Sequence, residues 1–233
     1  MWFTCGWVSA HSTEGNFAST LDAAIRNDEL PATPVTIRHV GKGYGLFGAG
    51  NNIDSAENAE FVVLLAGRPS QGQGYQQIPA AGLLDGYLQS GAEFLKQLQG
   101  SFQCVVIDRR NHRALLATDR FGTVPLYYQH VADCLVFSSR LRLIKSLSVE
   151  PLQIDPQALY NYVFFHCIPS PRTIYRGVAK LGPASTLSLT STGTDVLTYW
   201  KPEFQATQIS KQAVDDAAEE VRRGMRAPSR TRP

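Results

Sequence analysis

Two neighbouring apolar segments, joined by a short polar turn, constrain the fold of this chain more than any other feature. Residues 102–108 alternate with the period of a β-strand, and both faces of that strand are largely apolar. Residues 108–112 form a polar turn, and residues 113–118 return as a second apolar strand. Because the first strand has no polar face, we expect the pair to lie at the centre of a sheet that is covered on both sides.

A bent connection follows this pair, in which Gly122 permits unusual backbone angles and Pro125 is predicted to start a third strand. Residues 98–128 as a whole resemble the central signature of the glutamine amidotransferase domain of glutamine-dependent asparagine synthetases. That family has a Leu-x-Gly-x-Phe strand ending in Asp, followed by Arg-Asp-Arg-Phe-Gly-x-x-Pro-Leu-Tyr-Tyr. The second part reads Thr-Asp-Arg-Phe-Gly-Thr-Val-Pro-Leu-Tyr-Tyr here.

The resemblance continues downstream and covers roughly residues 95–200. Residues 136–141 resemble the family's Phe-Ala-Ser-Glu-Leu-Lys segment, with Arg140 in the place of Glu. Residues 169–183 are similar to its Pro-x-Pro-x-Thr-Ile-Phe-x-Gly-Ile-x-Lys-Leu-Pro-Pro segment. The resemblance implies an α+β fold, the four-layer αββα sandwich of the Ntn-hydrolase and class II glutamine amidotransferase type. We expect this domain to occupy residues 1–204, followed by a linker helix and a basic tail over residues 205–233, at the start of a missing synthetase domain.

Helices are predicted at several places outside the signature. Residues 17–26 show an amphipathic pattern, and residues 80–98 form a longer helix whose inner face carries Leu84, Leu88 and Leu95. Asp155 is a good N-cap with Pro156 at the first helical position, and Leu159, Tyr162 and Val163 give the following helix an apolar stripe. A closing β-hairpin is expected over residues 186–189 and 196–200.

The candidate catalytic residue is Cys5. The resemblance implies a glutaminase in which an N-terminal cysteine attacks glutamine and its own α-amino group is the general base. Here Cys5 is preceded by four residues, so its nitrogen is an amide and cannot accept a proton. Because methionine removal needs a small second residue, Trp2 argues against simple maturation. The alternative is an active glutaminase that supplies ammonia through Cys5 after removal of those four residues.

The candidate substrate-binding residue is Gly67. The family carries an Asn-Gly-Glu turn after its buried strand, and the matching residues here are Ala66, Gly67 and Arg68, so that only the glycine is retained. The segments that hold the α-amino and α-carboxylate groups of glutamine fall near residues 77–81 and 43–47, which have neither an acid nor an arginine. Since losing one oxyanion donor costs about 10²–10³ in rate, we expect the chain to be inactive alone.

The partner implied by the resemblance is a synthetase domain or a separate synthetase subunit, with self-association as a second possibility. The ATP-binding Ser-Gly-Gly-x-Asp-Ser loop of that domain does not occur in this chain. We therefore expect no cofactor here, with ATP and Mg²⁺ bound only by a synthetase domain. Eroded amidotransferase domains also occur in β-lactam synthetases and lasso-peptide cyclases. The expected docking surface carries four aromatic residues, Phe121, Tyr127, Tyr175 and Phe204.

Composition excludes several other classes of protein. No apolar run reaches the 18 residues or so that would span a membrane, and no secretory signal pattern precedes the domain. The four cysteines lie far apart without metal-ligand spacing, and Cys104, Cys134 and Cys167 occur in apolar surroundings where burial is expected. Five arginines over residues 222–232 read as a short solvated end, so we expect neither nucleic acid nor membrane as a partner. A cytoplasmic location is the simplest expectation.

Overall fold

Two six-stranded antiparallel sheets form the body of the protein, as seen in a computed structural model. The structure describes residues 3–9, 17–27, 35–72, 75–131, 133–148, 150–204 and 210–226. The strands in chain order are β1 (Phe3–Ser9), β2 (Val35–Gly41), β3 (Tyr44–Ala49), β4 (Ile53–Glu57), β5 (Phe61–Gly67), β6 (Ser70–Gln71), β7 (Gln76–Gln77), β8 (Leu98–Gln99), β9 (Phe102–Asp108), β10 (Arg113–Thr118), β11 (Tyr127–Val131), β12 (Cys134–Ser138), β13 (Ala179–Lys180), β14 (Ser185–Thr190) and β15 (Gly193–Thr198). The helices are α1 (Phe17–Asn27), α2 (Ala80–Ser90), a 3₁₀ helix (Gly91–Gln97), α3 (Leu141–Leu147), α4 (Pro156–Phe165) and α5 (Lys211–Arg226).

The strand order confirms the predicted position of the signature strands. The first sheet has the order β13-β11-β12-β1-β3-β2, and the second has the order β15-β14-β10-β9-β5-β4. A third, small sheet consists of β7, β6 and β8. The paired strands β9 and β10 therefore lie at the centre of the second sheet, and all but the last residue of β9 are buried.

Three hydrophobic clusters define four layers. The first cluster contains residues of α1 and α3 packed on one face of the first sheet, such as Leu21 and Ile144. The second joins the two sheets, with Leu46 and Leu64 among its members, and the third packs α2 and the 3₁₀ helix on the outer face of the second sheet. This arrangement is the αββα sandwich that the sequence predicts.

The helix predicted over residues 80–98 is wrong beyond Ser90. The α-helix ends there because Gly91 adopts a φ of 60°, and the chain continues as a 3₁₀ helix into β8. Leu84 and Leu95 are buried as predicted, whereas Leu88 is 50% exposed. The buried residues of α2 include Ala80, Leu83 and Leu84, so Leu88 lies outside this inner stripe.

Two other boundaries are informative. The strand predicted to start at Pro125 begins at Tyr127, because the carbonyls of Val124 and Pro125 accept hydrogen bonds from a side chain, that of Gln103. The closing hairpin is formed by β14 and β15 and leaves Trp200 outside the strands. Within the described residues, no helix is long and apolar enough to cross a membrane.

The chain divides into two compact units, Met1–Lys201 and Pro202–Pro233. The second unit contains α5, which corresponds to the helix predicted after the linker. Residues 227–233, the end of the basic tail, lie outside the described residues. A functional boundary at residue 204 stays a prediction.

Candidate functional site

The strand that carries Cys5 begins where the two sheets approach each other. In β1, the hydroxyl of Thr4 donates a hydrogen bond of 3.1 Å to Oε1 of Gln103 in β9 of the second sheet. The Nε2 of Gln103 donates to the carbonyls of Val124 and Pro125, at 2.8 and 2.9 Å. Since an amide group has two donor hydrogens, Gln103 has no donor left for a ligand.

Ser138 and Ser139, at the end of β12, form hydrogen bonds with the backbone of Thr4. The Thr4 backbone nitrogen donates to Oγ of Ser139 at 3.0 Å, and the Thr4 carbonyl accepts from the Ser139 nitrogen at 2.9 Å and from Oγ of Ser138 at 3.1 Å. Thr4, Ser138 and Ser139 are all buried. The start of β1 is therefore held by polar contacts on the residue directly before Cys5.

Cys5 lies in the middle of the first sheet with its side chain turned away from the second. It pairs with Ser138 of β12 and Phe47 of β3, so its nitrogen belongs to a peptide bond inside a strand. Its side chain is fully buried in the first cluster, among residues of α1 and α3. Because side chains alternate along a strand, Thr4 and not Cys5 points between the sheets.

Gly67 ends β5 and has a clear structural role. Its φ is +106°, and a Cβ atom on this residue would lie 2.2 Å from the carbonyl oxygen of Ser101. Its backbone nitrogen donates to the carbonyl of Asn52 at 2.8 Å. Because this N–H is already bonded, it is not available to an oxyanion. Cys5 and Gly67 lie in different sheets, and Cys5 points away from the sheet of Gly67, so the structure does not bring them together.

The neighbouring Arg68 also has a partner. Its Nε donates to Oδ1 of Asn52 at 2.8 Å, and its backbone nitrogen donates to the carbonyl of Ser101. The Arg68 guanidinium, which stands in the place of the family's Glu, is therefore held at the exposed end of β5.

The segments expected to hold glutamine have acquired other contacts. Residues 44–47 form the buried start of β3. Among the described residues, the carboxylate bonded to residues 77–81 is that of Asp54, which accepts from the Ala80 nitrogen at 2.7 Å. Two arginines that the sequence pattern did not single out as ligands lie over aromatic rings of the strands β3 and β1. The guanidinium of Arg38 lies 5.4 Å from the centre of the Phe47 ring, and that of Arg140 lies 5.3 Å from the centre of the Phe3 ring.

Two of the other thiols, those of Cys104 and Cys134, do not supply a nucleophile in place of Cys5. Burial raises the pKa of the Cys104 thiol to about 12, and burial also raises the pKa of Cys134. A thiolate is the reactive form, so both groups are unreactive near neutral pH. Cys167, expected to be buried, is exposed because it follows α4 at the surface of the molecule.

Of the four aromatic residues predicted to form a docking surface, two are exposed and two are packed against the core. Phe121 is 76% exposed and makes an edge-to-face contact with Trp200, and Phe204 is 90% exposed in the second unit. Tyr127 and Tyr175 are instead half-buried against the first cluster. The prediction is wrong for these two tyrosines, because their rings complete the core beside α3.

Two contacts at the start of β1 were not revealed by the sequence: the hydrogen bond between Thr4 and Gln103 and the hydrogen bonds between Thr4 and Ser139. Their partners are 99 and 135 residues apart in the chain, so no local pattern connects them. An alternation of Thr4 with the apolar Phe3 and Cys5 was the only available signal that one face of β1 differs from the other.

The expectation that this chain holds no ATP or metal ion stays a prediction. Within the described part of the chain, no group of three or more His, Cys, Asp or Glu side chains could hold a metal. The sequence has no ATP-binding loop of the synthetase type.

Comparison with known proteins finds asparagine synthetases among the relatives of this chain. The chain is 32% identical over 143 residues to asparagine synthetase [glutamine-hydrolyzing] 1 of Bacillus subtilis, covering 60% of this chain and 22% of that protein. It is 29% identical over 134 residues to a putative asparagine synthetase of Mycobacterium bovis, covering 55% and 20%. The chain thus spans about a fifth of the length of these relatives. Glutamine phosphoribosylpyrophosphate amidotransferase from B. subtilis superposes with a TM-score of 0.49 at 11% identity, covering 86% of this chain and 50% of that chain.

The family model of the glutamine amidotransferase domain matches residues 80–200, just over half of the sequence. The matched region contains the strand pair β9 and β10, the bent connection after it and the closing hairpin. With its two-sheet sandwich and its asparagine synthetase relatives, the chain belongs to the class II glutamine amidotransferase domains of the asparagine synthetase family.

Proposed function

We propose that this chain is a degenerate amidotransferase domain that serves as the structural and docking part of an ATP-dependent, amide-forming ligase. The ligase would be of the glutamine-hydrolysing asparagine synthetase type or a lactam- or lasso-forming relative, located in the cytoplasm. ATP and Mg²⁺ would bind to the synthetase part and not to this domain.

The burial of Cys5 is the observation that carries the proposal. An N-terminal-nucleophile glutaminase needs a free α-amino group next to an accessible thiol. In this chain the nitrogen of Cys5 is an amide, and its side chain is fully buried beneath α1 and α3. The Gly67 nitrogen is bonded to Asn52, so this position adds no free oxyanion donor.

The alternative is an active glutaminase formed by cleavage before Cys5. The match of Cys5 to the family's nucleophile favours it, and so does the fact that Cys5 is not in a disulfide. Cleavage would, however, remove Thr4, and with it the bonds to Gln103 and Ser139 that hold the start of β1. It would also remove Phe3, which is buried in the first cluster. Such processing therefore opens part of the core.

The test is a glutaminase assay on the purified chain, combined with intact-mass analysis of its N-terminus. We expect ammonia release from glutamine at the background rate for the wild-type chain and for Cys5→Ala alike. A protein whose mass shows an N-terminus at Cys5, and whose turnover is lost in Cys5→Ala, would establish the alternative.

A further inference from the structure

The helix α4 presents an uncharged, apolar surface to solvent. Its ten residues include no acidic or basic side chain, and Ala158 is its only buried residue. Six large apolar residues are between 49% and 69% exposed: Leu159, Tyr160, Tyr162, Val163, Phe164 and Phe165. Ordinary amphipathic helices bury such residues against their own domain.

The exposed area exceeds what a monomer normally tolerates. An aromatic side chain has roughly 150–250 Å² of surface, and four of them are more than half exposed on this one helix. The aromatic residues alone therefore present about 400 Å² or more to water. Contiguous apolar patches beyond a few hundred Å² usually mark a site of interaction.

The aromatic side chains form an ordered surface. The rings of Tyr160 and Phe164 stack with centroids 6.1 Å apart, and Phe164 meets Phe165 edge to face at 4.8 Å. The helix start is fixed, because the Asp155 carboxylate accepts from the Gln157 nitrogen at 3.0 Å and pairs with Arg172 at 2.8 Å. A helix held in this way offers its partner a preorganised shape.

The distribution of these residues around the helix favours a groove as the partner. Successive residues are turned by about 100°, so the exposed apolar side chains cover more than half of the circumference. A two-fold contact between two copies of α4 would cover one stripe and leave the other in water. A groove that encloses the helix would cover both, and without charges on α4 its walls must be apolar.

We infer that α4 is the docking element of this domain and that its occupant is an apolar groove on the synthetase part of the ligase. The inference rests on the proposed function. The relatives supply a partner of sufficient size, since about four-fifths of their length lies outside the region that this chain matches. Docking through α4 also accounts for the exposure of its apolar side chains, whereas Tyr127 and Tyr175 are packed inside the domain.

Cysteine labelling locates the contact. The probe is the part of B. subtilis asparagine synthetase 1 that remains after its matched region is removed, used once circular dichroism and a cooperative unfolding transition show that it is folded. In a Cys167→Ser background, which removes the exposed native thiol, Val163→Cys places a thiol on α4. Val196→Cys places a matched thiol on β15, where Val196 is 47% exposed. Sedimentation velocity measures the complex, and maleimide labelling is followed with and without the probe.

Docking through α4 predicts that the probe slows labelling of Val163→Cys by about tenfold or more and leaves Val196→Cys unchanged, since interface cores exclude water. A complex that forms without protecting Val163→Cys would overturn this inference and leave the proposed function intact. Failure to form a complex would count against both. Protection that rises with the concentration of the chain alone, without the probe, would identify a second copy as the occupant and overturn the inference.

Discussion

The hydroxyl of Thr4 and the side-chain amide of Gln103 connect the two sheets across their interface, at a distance of 3.1 Å. Both residues are buried, at 1% exposure each. Gln103 also donates hydrogen bonds to the carbonyls of Val124 and Pro125. One side chain therefore links β1, β9 and the bent connection that follows β10. A polar contact of this kind fixes the relative register of two sheets that otherwise meet through apolar side chains.

Replacing Gln103 should therefore destabilise the fold more than replacing Thr4. Gln103→Leu leaves the Thr4 hydroxyl and two carbonyls without their partner, and we expect the free energy of unfolding to fall by roughly 2–4 kcal/mol. Thr4→Val leaves a single acceptor unpaired and should cost about 1–2 kcal/mol. Urea denaturation of both variants and of the double variant measures these values. Strictly additive losses would show that the two side chains do not interact.

Gly67 should be intolerant of a methyl group for reasons of space as well as backbone angle. Gly67→Ala combines a positive φ with a contact of 2.2 Å to the Ser101 carbonyl, and we expect a loss of about 3 kcal/mol or more. Gly193→Ala is the matched control, because Gly193 has a φ of +130° but nothing within 4 Å of an added Cβ. Its cost should be nearer 1–2 kcal/mol in the same denaturation experiment. Equal losses would mean that the backbone angle alone requires glycine at residue 67.

The signature residue Asp119 should act through the backbone groups that it holds. Its carboxylate accepts from the nitrogens of Phe102, Phe121 and Thr123, and it is 1% exposed. We expect Asp119→Ala to lower the free energy of unfolding by roughly 3–5 kcal/mol, because several donors lose their acceptor. Asp119→Asn keeps one acceptor oxygen and should therefore lose less.

Asp108 provides the control for Asp119. It accepts from the nitrogens of Arg110 and Asn111 in an exposed turn, where water can replace it. Asp108→Ala should cost about 1 kcal/mol. A loss as large as that of Asp119→Ala would show that burial does not distinguish the two turns.

Local patterns predicted the elements whose partners are close in the chain. The strand pair β9 and β10, the helix α1 and the start of α4 at Asp155 follow from alternation, amphipathicity and capping, and the structure confirms them. The end of α2 was missed because a glycine after Ser90 is compatible with both a helix and a stop.

The placement of the candidate site was less accessible to sequence reasoning. Phe3, Cys5 and Trp7 alternate with Thr4, Gly6 and Val8, and both sets are mostly apolar, so periodicity did not show which face of β1 meets the helices. An apolar stripe such as that of α4 is typical of a buried helix face, yet Leu159, Tyr162 and Val163 are exposed in this domain. Neither property is encoded within a single segment.

The Cys104 thiol should make stability depend on pH in the alkaline range. Burial raises its pKa from 9.0 to about 12 in the folded protein. Between these two values the unfolded chain loses the proton while the folded chain keeps it. The stabilising contribution is therefore complete below pH 9 and decreases as the pH rises, by about 1.4 kcal/mol per pH unit for this one group.

When the pH rises from 8 to 10, we therefore expect the free energy of unfolding of Cys104→Ala to fall by about 1.4 kcal/mol less than that of the wild type. The variant starts from a lower stability at pH 8, because the substitution leaves a cavity. Urea denaturation under reducing conditions at pH 8, 9 and 10 gives the slopes. Cys167→Ala, which removes an exposed thiol, is the control for the loss of a cysteine elsewhere in the chain.

Identical slopes for the wild type and Cys104→Ala would mean that the Cys104 thiol ionises in the folded protein, and hence that the centre of the second sheet opens to solvent. The pH range ends at 10 because burial also raises the pKa of Tyr127 and Tyr128, whose ordinary value of 10.0 would add to the slope above it.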